Sequence, residues 1–372
     1  MNPDPLTKLY VEITTTCNLD CITCVRRAWN EPIGMMSLAM FEDLVGQIAS
    51  FAPGATLHFG GYGEPLHHPD FLTMVRLTKE AGLRSEVTTN GMLLSPALAE
   101  ALVALPLDRL VVSVDGVTPQ HYADVRQLGD FEQVMGNLAH LRRVKLRRDG
   151  RHGPPRVGIA FVAMKQNVAD LPALPWLATR IGAWEIIVSN LVPHSLEMEG
   201  EILYERALTA CAYRASHWVA DMSLPKLDLD DYTLPPLARA FTATASLSLL
   251  DASLSARNDY CRFAQQGYAA VRWDGEVSPC LSLLHDHPEY IHHRRKWVTH
   301  QSFGNIAERD FGAIWTSPPY TAFRARLREF HFSPCTTCGG CERFPYNYED
   351  CIGNDHPTCG GCLWAQGFIQ CP

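Results

Sequence analysis

The sequence predicts an α/β fold on a parallel sheet, followed by a loop-rich, cysteine-dense module. Three observations predict it. The first two hundred residues alternate six apolar strand-like runs with helical segments on short connections. The 13 cysteines split into three near the start, one alone at Cys211, and nine from Cys261 onward. From about residue 256 the chain turns dense in cysteine, glycine and proline. Its 372 residues have room for two domains or three.

LYVEIT (9–14) reads as the first buried strand. Ser37 is an N-cap for a helix over 38–50. ATLHF (55–59) is the second strand and ends in glycine-rich GGYGEP. A helix follows Pro69 and stops at Gly82. RSEVTT (84–89) is the third strand, with Asn90-Gly91 as its turn and a helix over 96–104 behind it. DRLVVSVDG (108–116) is the fourth strand and its turn, followed by helices over about 118–124 and 131–147. RVGIAFVAM (156–164) is the fifth strand, 169–181 a helix, and WEIIVSN (184–190) the sixth strand. A partial barrel and a doubly wound sheet both fit six such units, and either holds its chemistry at the C-terminal strand ends. A helix is expected over 199–221, within a bridging region over 200–255. YAAVRWDGEVSPC then reads as a hairpin turning on Asp274-Gly275. A helix over 308–328 has Phe311, Ile314 and Trp315 at core spacing.

Composition narrows the function. Hydrophobic residues at 47% and charged residues at 19% exclude wholesale disorder. No run approaches the ~18 apolar residues of a membrane span. MNPDPLTKLYVEITTT lacks the basic start and apolar stretch of a signal peptide, so a cytoplasmic location is expected. A net charge of −8 argues against a general nucleic-acid binder. An odd cysteine count in a long chain without a secretion signal favours metal binding over a disulfide scaffold.

Cys17, Cys21 and Cys24 follow the first strand as C-x3-C-x2-C. Structural zinc and a [4Fe–4S] cube both normally take four protein ligands. Three thiolates on a cube leave one iron open for a substrate or cofactor. The alternative is a zinc site completed by a distant residue such as His58. EITTTCNLDCITC resembles the cluster loop of radical S-adenosylmethionine (radical SAM) enzymes. The resemblance covers roughly residues 8–200 and implies a partial (β/α)6 barrel. It also implies that SAM chelates the open iron and is reductively cleaved to a 5′-deoxyadenosyl radical, which abstracts hydrogen from substrate.

The same resemblance implies a cofactor map. Gly60, Gly61, Gly63 and Glu64 match the motif whose backbone and acidic side chain hold the SAM amino group. Asn90, a further cofactor-binding candidate, ends the third strand, and Ser113 and Asp115 end the fourth, where the family contacts the SAM ribose and carboxylate. Taken singly, each is more often a turn residue than a ligand; their placement at successive strand ends favours the cofactor reading. Thr23 departs from the aromatic residue that the family places before the third cysteine, so adenine must rest elsewhere.

Cys261 and Cys280 bracket the hairpin as C-x13-G-x4-C, which resembles the opening of a SPASM auxiliary-cluster domain. Cys335, Cys338, Cys341, Cys351, Cys359, Cys362 and Cys371 follow. They depart from the usual C-x2-C-x5-C-x3-C pattern. Nine thiolates serve two [4Fe–4S] clusters with one left over, and two zinc sites are the alternative. Cys211 reads as a core residue. Narrower still, DCIGNDHPTCGGCLWAQGFIQCP with CNLDCITCVRRAWNEPIGMMS resembles the maturases associated with tungsten-cofactor oxidoreductases.

Three functions therefore stand. One is a radical SAM/SPASM maturase, acting on a tungstopterin-containing aldehyde oxidoreductase. One is a modifier of a ribosomal peptide or a protein. The third is non-enzymatic, an iron–sulfur electron carrier or a zinc scaffold. Arg27, Trp29 and Glu31 follow the cluster loop and either line the active site or pack. The basic runs 142–148 and 292–296 are most simply solvated faces; the alternatives are docking of a flavodoxin- or ferredoxin-type electron donor or holding of a phosphate-bearing substrate. His67-His68 has no metal-ligand spacing.

Overall fold

The computed structural model describes residues 5–150, 152–209, 221–224, 227–228, 230–241, 246–249, 252–253, 260–333, 335–336 and 341–372. Cys211 and Cys338 lie outside them, as does much of the bridging region.

Six strands form the expected parallel array: β1 (Lys8–Val11), β2 (Thr56–Phe59), β3 (Arg84–Thr89), β4 (Arg109–Ser113), β5 (Arg156–Ala163) and β6 (Glu185–Asn190). The helices between them are α1 (Leu38–Phe51), α2 (Phe71–Glu80), α3 (Pro96–Ala104), α4 (Pro119–Val125), α5 (Phe131–Arg148) and α6 (Leu174–Ile181). Ser37, Ser95, Thr118 and Asp130 accept backbone N–H groups at the starts of α1, α3, α4 and α5. Pro172 holds residues 168–173 in a tighter 3-10 turn, so α6 begins later than its sequence pattern suggests.

Strand alternation separates two environments. Leu9, Val11, Leu57, Phe59, Leu110 and Ile159 join the helices in one apolar core. The alternate residues build a polar barrel interior. There Glu86 accepts from Lys8 at 2.8 Å, His58 at 3.1 Å and Arg109 at 3.3 Å. Burial and the nearby Lys8 ammonium push the His58 imidazole down to about 3, so it is neutral.

The cysteine-dense module is not a separate bead. After α7 (Leu196–Gly200), α8 (Glu205–Thr209), β7 (Asp221–Leu224), α9 (Leu234–Phe241), β8 (Ser246–Leu249), β9 (Ala252–Ser253) and α10 (Arg262–Gln266) comes β10 (Tyr268–Val271). β10 pairs in parallel with β1, from Lys8↔Tyr268 to Val11↔Val271. Its antiparallel partner β11 (Val277–Ser278) completes the hairpin, turning on Gly275 at φ +92°. The sheet thus has eight strands, in the order β11-β10-β1-β2-β3-β4-β5-β6. β12 (His287–Ile291) and β13 (Arg294–Val298) form a second hairpin, and α11 (Phe311–Trp315) and α12 (Pro318–Glu329) follow.

Two expected helices are broken. In the described part of the helix expected over 199–221, α7 ends at Gly200 and α8 runs over Glu205–Thr209, with β7 starting at Asp221. Residues 210–220 lie outside the described residues. Ser195 caps α7, and the break turns Ile202 and Tyr204 into a separate apolar cluster, where Tyr204 stacks on Phe368 at 4.7 Å. The helix over 308–328 is split because Pro318-Pro319 cannot donate back into the preceding turn, and Asp310 caps its first half. Phe311, Ile314 and Trp315 are fully buried, as their spacing indicates. Phe311 packs edge-on against Phe51 of α1, so this module leans on the barrel's first helix.

Candidate active site

The loop after β1 is pinned at its base. Thr15 N–H donates to the Gly34 carbonyl at 3.0 Å, and Met36 N–H to the Ile13 carbonyl at 2.8 Å. Residues 16–33 therefore form a closed lobe carrying Cys17, Cys21 and Cys24, all partly exposed. Its far side is tied to the α4–α5 connection: Asp20 N–H donates to Gln127 and Ile22 N–H to Val125.

Neighbouring strand ends converge on this lobe. Glu64 is buried, and its carboxylate accepts from Leu66 N–H, the Thr89 hydroxyl and Asn90 N–H at 2.7–3.0 Å. Burial pushes its pKa up while those hydrogen bonds pull it down. The Asn90 amide donates to Asn18 at 2.9 Å and lies 3.8 Å from the Cys17 sulfur. Asp115 is 0% exposed. It accepts from Val162 N–H and ion-pairs with Arg126 at 2.7 Å. The other Arg126 nitrogen reaches 3.8 Å from the Cys21 sulfur. Ser113, half-buried, ends β4 opposite Ala160. Gly63 sits where any side chain would collide with the cluster loop, because a Cβ there would lie 2.0 Å from the Thr14 carbonyl oxygen. Gly61 similarly backs onto Glu12, while Gly60 faces His58. The geometry thus gathers Glu64, Asn90 and Asp115 around the lobe. The oxygens of Glu64 and Asp115 are engaged by the protein itself.

Arg126, Glu12 and His285 were not visible as site residues in the sequence. Glu12 has a usable signal, since strand alternation puts it inward two residues after Tyr10. Nothing local marks Arg126 or His285. His285 Nε2 meets Glu12 at 2.7 Å, and its Nδ1 meets Glu31. Burial opposes protonation of this imidazole, but Glu12 and Glu31 outweigh it and raise its pKa to about 9. Trp29 packs on the ring at 4.3 Å, so Trp29 and Glu31 are brought together with it. Arg27 lies 3.5 Å from Asp20.

Four module cysteines gather in one place. Cys280 lies within electrostatic reach of Cys362, Cys261 and Cys359, and burial pushes its thiol well up. Burial likewise raises Cys261 to about 12. The four line a cavity of about 470 Å³, shared with Cys371. The Cys371 sulfur accepts from the Trp364 indole at 3.2 Å. A second group forms around Ser333. Its carbonyl accepts from Cys335 N–H, and its hydroxyl lies 3.0 Å from the Cys351 sulfur. Cys341 and Cys351 both lie within electrostatic reach of Arg343.

The run 292–296 is only partly a solvated face: His293 and Arg295 are exposed, while Lys296 turns inward. Lys296 is buried and donates to the Gly361 carbonyl between Cys359 and Cys362. Arg294 donates to the Cys341 carbonyl, and His292 bonds the Thr336 carbonyl. Its inward cations are held by backbone carbonyls of the cysteine segments, and Lys296 also faces buried Glu289 at 3.8 Å. In the other run, Arg142 donates to the Arg180 carbonyl. His68 bonds the Met36 carbonyl, a structural role.

These donor sets fit iron–sulfur cubes better than zinc. Four sulfurs around one zinc at about 2.3 Å stand about 3.8 Å apart. Among the described residues, the one trio of His, Cys, Asp or Glu ligand atoms within 4.8 Å is Glu31, Asp286 and His300, with no cysteine. His58 is not a fourth ligand for the first loop, because Glu86 and Thr88 occupy its ring nitrogens. Buried thiols with raised pKa values become thiolates only when a cation compensates them.

Comparison with known proteins agrees with this geometry. The radical SAM superfamily profile matches residues 11–164, and the SPASM iron–sulfur cluster-binding domain matches residues 261–342. The tungsten-containing aldehyde ferredoxin oxidoreductase cofactor-modifying protein of Pyrococcus furiosus is 31% identical over 372 residues, covering 98% of this chain and 96% of that one. The PqqA peptide cyclase of Ruegeria pomeroyi is 26% identical, covering 94% of this chain and 83% of that one. Among solved structures, anSMEcpe with bound AdoMet superposes with TM-score 0.59 at 18% identity, covering 98% and 93% of the two chains. SuiB of Streptococcus suis bound to S-adenosylmethionine gives 0.57 at 16%, covering 90% and 71%. At those identities the structural likeness concerns the fold. With both profiles matched and a relative aligned over nearly its whole length, this chain belongs to the radical SAM superfamily, as an enzyme with a SPASM domain whose cofactors are SAM and [4Fe–4S] clusters.

Proposed function

We propose that this radical SAM enzyme acts in the maturation of a tungstopterin-containing aldehyde oxidoreductase. The observation that carries the chemistry is the three-thiol lobe at the end of β1, ringed by Glu64, Asn90 and Asp115–Arg126. The choice of client rests on the Pyrococcus furiosus relative. When bound, the cluster and SAM supply a 5′-deoxyadenosyl radical that takes a hydrogen atom from the client.

The chain's own residues bind and orient. Cys17, Cys21 and Cys24 hold the catalytic cluster. Gly60, Gly61 and Gly63 let backbone approach the SAM amino group, and Glu64 and Asn90 brace that loop. Ser113, Asp115 and Arg126 face the SAM carboxylate and ribose. Cys261, Cys280, Cys359 and Cys362 ligate one auxiliary cluster. Cys335, Cys338, Cys341 and Cys351 ligate the other, and Cys371 is the surplus thiol. The barrel spans 1–199, a bridge 200–255, and the auxiliary domain 256–372. A flavodoxin- or ferredoxin-type donor supplies the electron in the cytoplasm. No helix among the described residues is long and apolar enough to cross a membrane.

A second reading, modification of a ribosomal peptide, is favoured by the PqqA peptide cyclase relative. Anaerobic reconstitution should load roughly 12 Fe per chain. Dithionite and SAM should then yield 5′-deoxyadenosine. Incubation with immature tungstopterin oxidoreductase, against a short precursor peptide, separates the two clients. A fully loaded protein that never cleaves SAM would sink both.

A further inference from the structure

Three separate segments around the catalytic lobe meet on one turn of the auxiliary domain, Leu281–Asp286. The first is the glycine loop after β2. Its Tyr62 hydroxyl donates to the Leu281 carbonyl at 3.2 Å. The second is Glu12, at the end of β1. One of its oxygens accepts from Tyr62 N–H at 3.0 Å, and the other takes His285 Nε2 at 2.7 Å. The third is the segment behind the cluster loop. Glu31 takes His285 Nδ1 and accepts from Asp286 N–H, while the Trp29 ring packs on His285 at 4.3 Å and on Tyr62 at 5.1 Å. Tyr62 is therefore gripped twice by the same turn, once at its hydroxyl and once through Glu12.

That turn begins one residue after Cys280, which lines the auxiliary cavity. The linkage is stiff for an electrostatic reason. The His285 side chain is 1% exposed and Glu12 is 0% exposed. Displacing the imidazolium leaves Glu12 buried with no cation against it. Further groups facing Glu31 are Arg272 at 3.8 Å and the Asp286 carboxylate and His300 imidazole, both within 4.8 Å. The turn and the glycine loop therefore move together.

We propose that the auxiliary domain sets SAM affinity at the barrel through this turn, with Tyr62 and His285 as positioning residues. The proposal rests on the reading that residues 60–64 hold SAM. It makes the two sites reciprocal, so ligation at Cys280 and binding of SAM favour each other.

The test measures SAM binding by anaerobic calorimetry on the oxidised, reconstituted full chain, where no turnover occurs, with iron content in parallel. Tyr62→Phe removes one hydroxyl, and Glu31→Gln keeps the shape of the His285 clamp. Both variants, and His285→Asn, should keep wild-type iron yet bind SAM at least about fivefold more weakly. Cys280→Ala should lose about 4 Fe and weaken SAM binding at least as much. Adding Tyr62→Phe to Cys280→Ala should weaken it no further. Wild-type SAM affinity in Tyr62→Phe and Glu31→Gln would overturn the coupling, as would fully additive losses in the double variant. A wild-type chain with all clusters loaded that binds no SAM would instead overturn the reading of residues 60–64 itself.

Discussion

Arg126→Ala should be among the most damaging single substitutions in the barrel that touch no iron ligand. Arg126 is 8% exposed and pairs at 2.7 Å with Asp115, which is 0% exposed. Its second nitrogen faces the Cys21 sulfur at 3.8 Å. Truncation leaves the Asp115 carboxylate buried with Val162 N–H as its remaining partner. Removing one member of a buried ion pair costs about 3–5 kcal/mol. The auxiliary module shares the barrel's sheet, so the 372-residue chain melts as one unit. At that size each kcal/mol moves the melting temperature by about 1–2 °C, and a fall of about 3–10 °C is expected. Arg126→Lys keeps the charge but lacks the fork that serves Asp115 and Cys21 together, so it should fall in between. The assay is thermal unfolding of anaerobically reconstituted protein, followed by far-ultraviolet dichroism. A shift below about 2 °C in Arg126→Ala would refute the reasoning, because Asp115 would then have found water or another donor.

Two further outcomes follow from specific geometry. The His285 imidazole is raised to about 9 in the folded chain, so its stabilising contribution is fully present below the unfolded value of about 6.5 and is lost as pH rises through 9. The stability gap between wild type and His285→Asn should therefore narrow between pH 6.5 and 9.5, and a gap independent of pH would contradict a charged His285. Gly63→Ala should push the glycine loop off the cluster lobe, because its Cβ would sit 2.0 Å from the Thr14 oxygen. Iron should drop from roughly 12 to roughly 8 per chain, while Gly46→Ala, with open space around its Cβ, should load normally.

Much of the barrel was legible because its signals are local. Apolar runs of strand length, Ser37 and Ser95 as caps, and Gly82 and Gly91 in left-handed conformation each act within a few residues. The failures were also physical. The helix expected from residue 199 is interrupted between Gly200 and Glu205, where Tyr204 turns to stack on Phe368, over 160 residues away. The basic run 292–296 looked solvent-facing by composition, yet Lys296 is drawn inward by the Gly361 carbonyl beside the thiols. His285 was invisible because its partner Glu12 is distant in sequence, and Arg126 because the Cys21 sulfur it reaches is on the cluster loop, far from it along the chain.

By itself, the sequence determined the parallel βα array, the three-thiol loop at the first strand end and the presence of an auxiliary cysteine module. All three depend on neighbours along the chain: side-chain period, turn chemistry and ligand spacing. The tertiary structure alone decided which cysteines meet. Cys261 and Cys280 meet Cys359 and Cys362, some eighty residues or more further along the chain, because the β10–β11 hairpin docks on β1 and the C-terminal segment folds back over it. It also decided that a histidine from the auxiliary domain is clamped between two barrel carboxylates. A buried charge can be placed only where the fold brings its counter-charges together, and no linear pattern encodes that meeting.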